Sequence, residues 1–182
     1  FASMYLKQEI LLASPVSVIK RLTELIAMGD FWKSVVFSFV RIILGFSLAL
    51  ILGTVLAALS SAFFAVEVLM EPLIMGIKAT PVASFIILCL IWIPSRNLSV
   101  FISFLMVFPV VYTNILEGIR QTDKQLLEMA DSFGAGVGKK LQFIYLSQVM
   151  PYAVTACKLG LGLCWKAGIA AEVIGIPAGS IG

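Results

Sequence analysis

The feature that most restricts the fold of this chain is a series of long apolar segments that carry no charge. Between Ile42 and Val66 there is no acidic or basic residue, and three more apolar segments follow along the 182 residues. A helix needs about 20 apolar residues to cross the hydrocarbon core of a bilayer, which is roughly 30 Å thick. A subunit buried in a soluble assembly could also be apolar, but the number and length of these segments predict a membrane protein.

The composition narrows the possible classes of function. Hydrophobic residues make up 60% of the chain and charged residues 13%, with a mean hydropathy of +1.06, whereas a soluble domain is about 25% charged. The net charge is +3 and the basic residues form no cluster, which argues against nucleic acid as a partner. Histidine is absent, and the three cysteines lie singly in apolar segments, where cysteine behaves as a small hydrophobe. The sequence therefore predicts no catalytic residue, no metal site and no cofactor.

The apolar segments predict an all-α, polytopic membrane helix bundle that forms one domain over residues 1–182. The predicted membrane spans are residues 35–59, 72–93, 98–116 and 149–171. A short amphipathic helix is predicted before them, at residues 15–30, and a polar loop at residues 118–148 precedes the last span. Pro94–Asn97 is expected to be a tight turn that pairs the second and third spans into a hairpin. No signal peptide is visible. Since the chain begins at Phe1 without methionine and ends at Gly182 soon after an apolar segment, we expect it to be part of a longer protein.

Small residues recur at every fourth position in the first and last spans. The two series are Gly45, Ala49, Gly53 and Ala57, and Ala156, Gly160, Cys164 and Gly168. Small side chains at this spacing allow helix backbones to approach closely, which drives association where lipid supplies no hydrophobic effect. Glycine and alanine are also frequent in membrane helices, but two series of four favour packing faces.

The polar loop at residues 118–148 has helical periodicity. Thr122 and Gln125 have the spacing of a capping box, and Leu126, Met129, Ala130 and Phe133 follow on one face. Gly134 is placed to end this helix, and a second helical pattern begins near Lys139. The pattern predicts helix, glycine turn and helix. Periodicity alone leaves open whether the apolar face docks on a partner or folds back on the bundle.

This loop resembles the EAA motif of the permease subunits of bacterial ABC importers. The motif reads Glu-Ala-Ala, three residues, glycine, nine residues and Ile-x-Leu-Pro. The matching positions are Glu128, Ala130, Gly134, Ile144 and Leu146, whereas Met129 and Ser147 depart from it. The sequences SPVSVIKRLTELIAMGDFWKSVVFSFVRIILGF and CWKAGIAAEVIGIPAGSIG are also similar to parts of permeases of the nitrate/sulfonate/taurine type.

The resemblance implies a type I ABC importer permease fold in the bacterial plasma (inner) membrane, with the loop as a cytoplasmic coupling helix. Its expected partners are a cytoplasmic ABC ATPase dimer, an extracytoplasmic substrate-binding protein and a second permease copy. The expected substrate is a small anion or sulfonate, such as nitrate, taurine or an alkanesulfonate. The residues expected to couple to the ATPase are Leu126, Glu128, Met129, Ala130, Phe133, Gly134 and Ala135. Such permeases usually have six membrane helices, so this chain would lack most of the first and all of the sixth.

Four charged residues in or beside apolar segments are candidates for the substrate pathway, because an ionisable group in a membrane is costly and usually functional. They are Lys166, Glu172, Arg41 and Lys78. Cations along a pathway suit an anionic substrate, although Glu172 could instead neutralise Lys166. Lys158 is interpreted as reaching toward lipid headgroups, and Arg41 could do the same.

Three other questions stay open from the sequence. Basic residues do not decide orientation, since four lie on the side of the polar loop and five on the other. Pro81 predicts a kink inside the second span, which could serve gating or packing alone. The alternative function is an ion-coupled secondary transporter or channel, for which Glu172 is the only acidic candidate for ion coupling. A membrane-embedded enzyme is a further alternative, but it would lack histidine and paired carboxylates.

Overall fold

The computed structural model describes residues 23–24, 26 and 29–181, and every regular element within these ranges is helical. The amphipathic helix predicted at residues 15–30 lies largely outside the described residues. The described elements are α1 (Gly29–Ala62), α2 (Phe64–Ala79), α3 (Val82–Trp92), α4 (Ser95–Arg120), α5 (Lys124–Ser132), α6 (Val137–Lys140), a π-helical turn (Leu141–Tyr145) and α7 (Leu146–Gly175).

Three stretches of the described residues are long and apolar enough to cross a membrane. They are α1, α4 and the continuous helical stretch Val137–Gly175, which joins α6, the π-helical turn and α7. The spans predicted at residues 35–59, 98–116 and 149–171 lie inside these helices. A fourth crossing is possible where α2 and α3 meet, if the two bent helices count as one span.

The second predicted span, residues 72–93, is divided in the structure. Helices α2 and α3 meet at an angle of 107°, and both Thr80 and Pro81 have extended backbone conformations. A proline disfavours the helical conformation of the residue before it, so the helix ends at Ala79. The hydroxyl of Thr80 then donates to the carbonyl of Gly76 at 2.8 Å. The kink expected at Pro81 is therefore a complete break.

Helix α4 lies at the centre of the bundle, between α1 and α7, and the small-residue series form its contacts. All eight members of the two series are buried. A Cβ on Gly45 would lie 2.4 Å from the carbonyl oxygen of Val100 in α4, and one on Gly53 would lie 2.9 Å from Val111 Cγ1. On α7, a Cβ on Gly168 would lie 2.6 Å from both Ile42 and Ser103. The prediction that these series are packing faces is confirmed.

The turn between α3 and α4 is shorter than predicted. Pro94 is the N-cap of α4, and Ser95 begins the helix, so most of the expected Pro94–Asn97 turn is helical. The amide of Asn97 already bonds to the carbonyl of Pro94 at 2.9 Å. A proline at the start of a helix costs no backbone hydrogen bond, because the first amides of a helix have no partner within it.

Candidate functional site

A helical hairpin, residues 123–145, projects from the end of the bundle where α4 ends and α7 begins. It starts at Asp123, whose carboxylate accepts a hydrogen bond from the amide of Gln125 at 2.8 Å. The capping box predicted at Thr122 is wrong. The Thr122 hydroxyl donates to the carbonyl of Gly118 at 3.2 Å and so still belongs to the last turn of α4.

The turn of the hairpin is fixed by Gly134, as predicted. Its φ is +67°, in the left-handed region that favours glycine. The amide of Gly134 bonds to the carbonyl of Asp131, and the amide of Ala135 bonds to the carbonyl of Ala130, both at 2.9 Å. This pair of bonds is a Schellman motif, which ends α5 with its carbonyls satisfied and sets the exit direction of the chain.

Polar contacts hold the hairpin to itself and to the bundle. Lys140 forms an ion pair with Asp131 across the two arms. At its base, the amide of Asp123 donates to the side-chain oxygen of Gln148 in α7 at 3.4 Å. The hairpin is therefore closed at its base as well as at its turn.

The hairpin presents apolar side chains away from the bundle. Phe133 is 83% exposed and Met129 is 52% exposed, whereas Leu126 and Ala130 are half-buried on the same helix, and Ala135 is half-buried just after the turn. The Glu128 carboxylate is exposed and has no ion-pair partner among the residues described. Two further exposed apolar side chains, Val137 and Phe143, were missed by the sequence analysis, since neither lies on the periodic face of α5.

The opposite end of the bundle holds a buried charge cluster formed by Ser38, Arg41 and Glu172. Glu172 is fully buried, and it accepts a hydrogen bond of 2.5 Å from the Ser38 hydroxyl. Arg41 Nη1 lies 3.8 Å from Glu172 Oε1, and Arg41 Nη2 donates to the carbonyl of Ser95 at 3.2 Å. The Arg41 guanidinium also lies 4.8 Å from the centre of the Phe37 ring. The cluster joins α1, the start of α4 and the end of α7.

The structure separates the charged residues that the sequence grouped together. Lys166 and Lys78 are exposed, while Arg41 and Glu172 are buried. The alternative that Glu172 neutralises Lys166 is wrong, because the Glu172 carboxylate is oriented into the bundle toward Arg41. Only the three-dimensional fold could reveal this pairing, since Arg41 and Glu172 lie on different helices and share no local motif.

Comparison with known proteins places this chain in a protein family. Residues 49–182 match the family described as binding-protein-dependent transport system inner membrane component. The chain belongs to this family. It is accordingly a permease subunit of the ABC importer class with the type I permease fold, a multi-pass protein of the bacterial inner membrane and not itself an enzyme.

Curated relatives are similar along most of the permease chain. It is 24% identical over 184 residues to the taurine transport system permease protein TauC of Escherichia coli, covering 98% of this chain and 67% of the relative. It is 26% identical over 147 residues to the bicarbonate transport system permease protein CmpB of Synechococcus elongatus, covering 80% of this chain and 52% of the relative. The chain thus spans between about half and two thirds of the length of these relatives.

The permease departs from the EAA pattern at Ser147, where the motif has proline, and the structure places another helix irregularity just before it. Over Leu141–Tyr145 the helix widens into a π-helical turn, in which the amide of Leu146 bonds to the carbonyl of Leu141. The helix then continues through Ser147 and Pro151 without a break. A single π-helical turn within an α-helix is frequently found at functional sites.

Proposed function

We propose that this permease forms part of the membrane pathway of an ATP-driven importer, with the helical hairpin as its ATPase-coupling element. One observation carries the proposal: a rigid hairpin with exposed apolar side chains projects from a bundle whose family supplies inner-membrane components of binding-protein-dependent transport. The hairpin faces the cytoplasm, where an ABC ATPase dimer would hydrolyse ATP. The sequence contains no phosphate-binding GxxxxGK[ST] motif, so the partner would supply this chemistry.

Phe133 and Met129 are the proposed anchors in a groove of the ATPase. Both are large, apolar and more than half exposed, and buried aromatic side chains dominate the energy of most interfaces. Leu126, Ala130 and Ala135 support the anchors from half-buried positions. Glu128 is placed to pair with a basic side chain of the ATPase, since it lacks an ion-pair partner in the described part of this chain.

Rigidity is what allows the hairpin to transmit motion. Gly134 and the Schellman motif set the angle between its arms, and the Lys140–Asp131 ion pair joins them. The second arm continues without interruption into α7 through the stretch Val137–Gly175. A displacement of the hairpin by the closing ATPases would therefore move α7 directly, whereas a flexible loop would absorb it.

The remaining partners and the substrate follow from the relatives. An extracytoplasmic binding protein would deliver the substrate, and a second permease copy would complete the pathway. The substrate class that we propose is a small anion or sulfonate, such as nitrate, taurine or an alkanesulfonate. Its support is that TauC is named for taurine and CmpB for bicarbonate, and that Lys166 and Lys78 are exposed cations in apolar segments.

Association with the ATPase tests the coupling role. Phe133→Ala in the full-length permease should weaken binding of the ATPase by about 2 kcal/mol or more, roughly thirtyfold in affinity. Ile91→Ala is the matched control, because Ile91 is 76% exposed but lies in α3 outside the hairpin. For both variants, the amount of ATPase that co-purifies with the permease is measured as a function of ATPase concentration. Equal binding by the two variants and the unmodified protein would reject the hairpin as the docking element.

Uptake in proteoliposomes tests the substrate class. The permease, its ATPase and its binding protein should import at least one of nitrate, taurine, an alkanesulfonate or bicarbonate when ATP is supplied. Import that needs an ion gradient instead of ATP would support the secondary-transporter alternative.

A further inference from the structure

The outward face of α7 carries two lysines in the middle of an apolar helix. Lys158 and Lys166 are both exposed, and neither forms an ion pair with any residue in the described part of the chain. Eight residues apart, they lie about 12 Å apart along the axis and about 80° apart around it, with Gly162 between them. A Cβ added to Gly162 would meet nothing within 4 Å, so the space over this face is open.

This face lies roughly opposite the buried series of α7. Ala156, Gly160, Cys164 and Gly168 pack inward on α1 and α4, which leaves Thr155, Lys158, Gly162 and Lys166 directed away from the bundle. The inward face is already neutral in charge, because Glu172 pairs with Arg41. Neither lysine is therefore compensated from within the bundle.

In the span that the sequence predicts, Lys158 lies too deep for an ordinary anchoring role. In the span proposed at residues 149–171, Lys158 lies about 3 Å from the midpoint along the helix axis and Lys166 about 9 Å from it. Lysines that reach headgroups are found near helix ends, so the interpretation of Lys158 as reaching toward lipid headgroups does not fit this position. An exposed ammonium group at such depth requires water or a counter-anion beside it.

We propose that the Thr155–Lys158–Gly162–Lys166 face of α7 lines a water-filled pathway and that its two lysines form successive sites for a small oxyanion. The inference rests on the proposed transport function and deepens it by naming the wall of the pathway. Two ammonium groups separated by about two helical turns attract an anion at each step without holding it at one tight site. Open space at Gly162 gives the anion room to pass between them.

Reaction of an introduced thiol measures both water access and the local charge. Gly162→Cys in the full-length permease, reconstituted in vesicles, is treated with the anionic 2-sulfonatoethyl methanethiosulfonate and the cationic trimethylammonium-ethyl reagent. Each rate is divided by that reagent's rate with a small thiol in solution, because an anionic thiolate by itself reacts faster with a cationic reagent. On this scale we expect the anionic reagent to react about tenfold faster than the cationic one, since a cationic cleft concentrates anions. In the background of Lys158→Gln with Lys166→Gln, the ratio should fall to about one.

The controls use the same chain. The unmodified protein, with Cys89, Cys157 and Cys164, gives the background rate. Ile51→Cys, at an exposed apolar position of α1, should react with neither reagent. Lys158→Arg with Lys166→Arg should keep the preference, and the single changes Lys158→Gln and Lys166→Gln, each of which should lower it, replace the glutamine pair as the test if that pair does not accumulate.

Several results would overturn the inference. Absence of reaction at Gly162→Cys would mean that the face contacts lipid or protein, and equal rates or rates insensitive to the lysine changes would mean that the lysines do not attract anions. Loss of the preference in vesicles that contain phosphatidylglycerol, compared with phosphatidylcholine alone, would assign the lysines to lipid headgroups. ATPase binding is measured on the same samples, so its failure counts against the proposed function and not against this face.

Discussion

At the scale of single residues, the buried charge cluster is the most demanding arrangement in the described structure. Removing charges from water is costly, and the cost is offset only when each group has well-placed partners. Glu172 accepts a hydrogen bond from the Ser38 hydroxyl, and Arg41 donates to the Ser95 carbonyl and lies over the Phe37 ring. The two charged groups face each other at 3.8 Å, an ion-pair distance without a hydrogen bond between Arg41 Nη1 and Glu172 Oε1. These contacts connect helices that are far apart in the sequence, which gives the cluster a structural role at the end of the bundle remote from the hairpin.

Glu172→Ala is expected to lower the free energy of unfolding by about 3–5 kcal/mol, because it leaves the Arg41 charge buried without its partner. Replacing both groups with apolar residues, as in Arg41→Met with Glu172→Leu, should recover most of this loss. Thermal unfolding in detergent measures each variant. Glu117→Ala, at an exposed site, should change stability by less than about 0.5 kcal/mol. A similar loss for the single and double variants of the cluster would show that the ion pair itself is not the determinant.

At the scale of helices, two kinds of glycine have opposite functions. Those of the small-residue series permit contact between helices, whereas Gly134 permits a backbone conformation that other residues rarely adopt. The small residues of these series are the reason why α4 can lie against both α1 and α7 along much of its length. The distinction also separates the packed core of the bundle from the projecting hairpin.

Gly45→Ala is expected to destabilise the bundle by about 1–3 kcal/mol, since its Cβ would lie 2.4 Å from a backbone oxygen of α4 that cannot rotate away. Gly76→Ala is the matched change, also within a helix but with nothing within 4 Å of the new Cβ. It should be neutral or stabilising by up to about 1 kcal/mol. Unfolding in detergent compares the two, and equal effects would argue against close contact between α1 and α4.

Gly134→Ala should weaken ATPase binding severalfold, because an alanine at φ +67° costs about 1–2 kcal/mol and displaces the arms of the hairpin. Gly138→Ala is the matched control within the hairpin and should leave binding unchanged. Both sites have open space for a Cβ, but only Gly134 has a positive φ. Titration of the ATPase against each full-length variant provides the measurement. Unchanged binding by the Gly134 variant would mean that the turn geometry does not govern docking.

At the scale of the whole molecule, the chain separates its functions between the two ends of one bundle. The hairpin lies at the end where α1 and α4 terminate, and the buried charge cluster lies at the other, beside Ser95 and the residues that follow α7. Helix α7 connects both ends and carries the two exposed lysines between them. A motion received at the hairpin would therefore reach the proposed pathway through a single continuous helix.

Labelling of intact cells should report this orientation. Arg96→Cys, at the start of α4, is expected to react with a membrane-impermeant maleimide from outside the cell. Ser132→Cys, in the hairpin, should react only after the membrane is permeabilised. The unmodified chain gives the background of its own cysteines, and the opposite pattern would place the hairpin outside the cytoplasm.

The sequence by itself determined the features that depend on local periodicity and local backbone preference. Uncharged apolar segments specified the long helices, the small-residue series specified the packing faces, and Gly134 specified the turn of the hairpin. Each of these signals lies within one helix or one turn, where side chains three and four residues apart share a face. The family resemblance of the EAA positions likewise needed no knowledge of the fold.

Only the tertiary structure decided which distant groups meet. It paired Glu172 with Arg41 rather than Lys166, moved the N-cap from Thr122 to Asp123, and changed the expected kink at Pro81 into a 107° break. The ion pair depends on the relative rotation of whole helices, which many side chains set together, and the other two outcomes depend on where neighbouring helices end. A buried carboxylate takes the nearest cation that packing brings to it, and its own helix does not encode which cation that is.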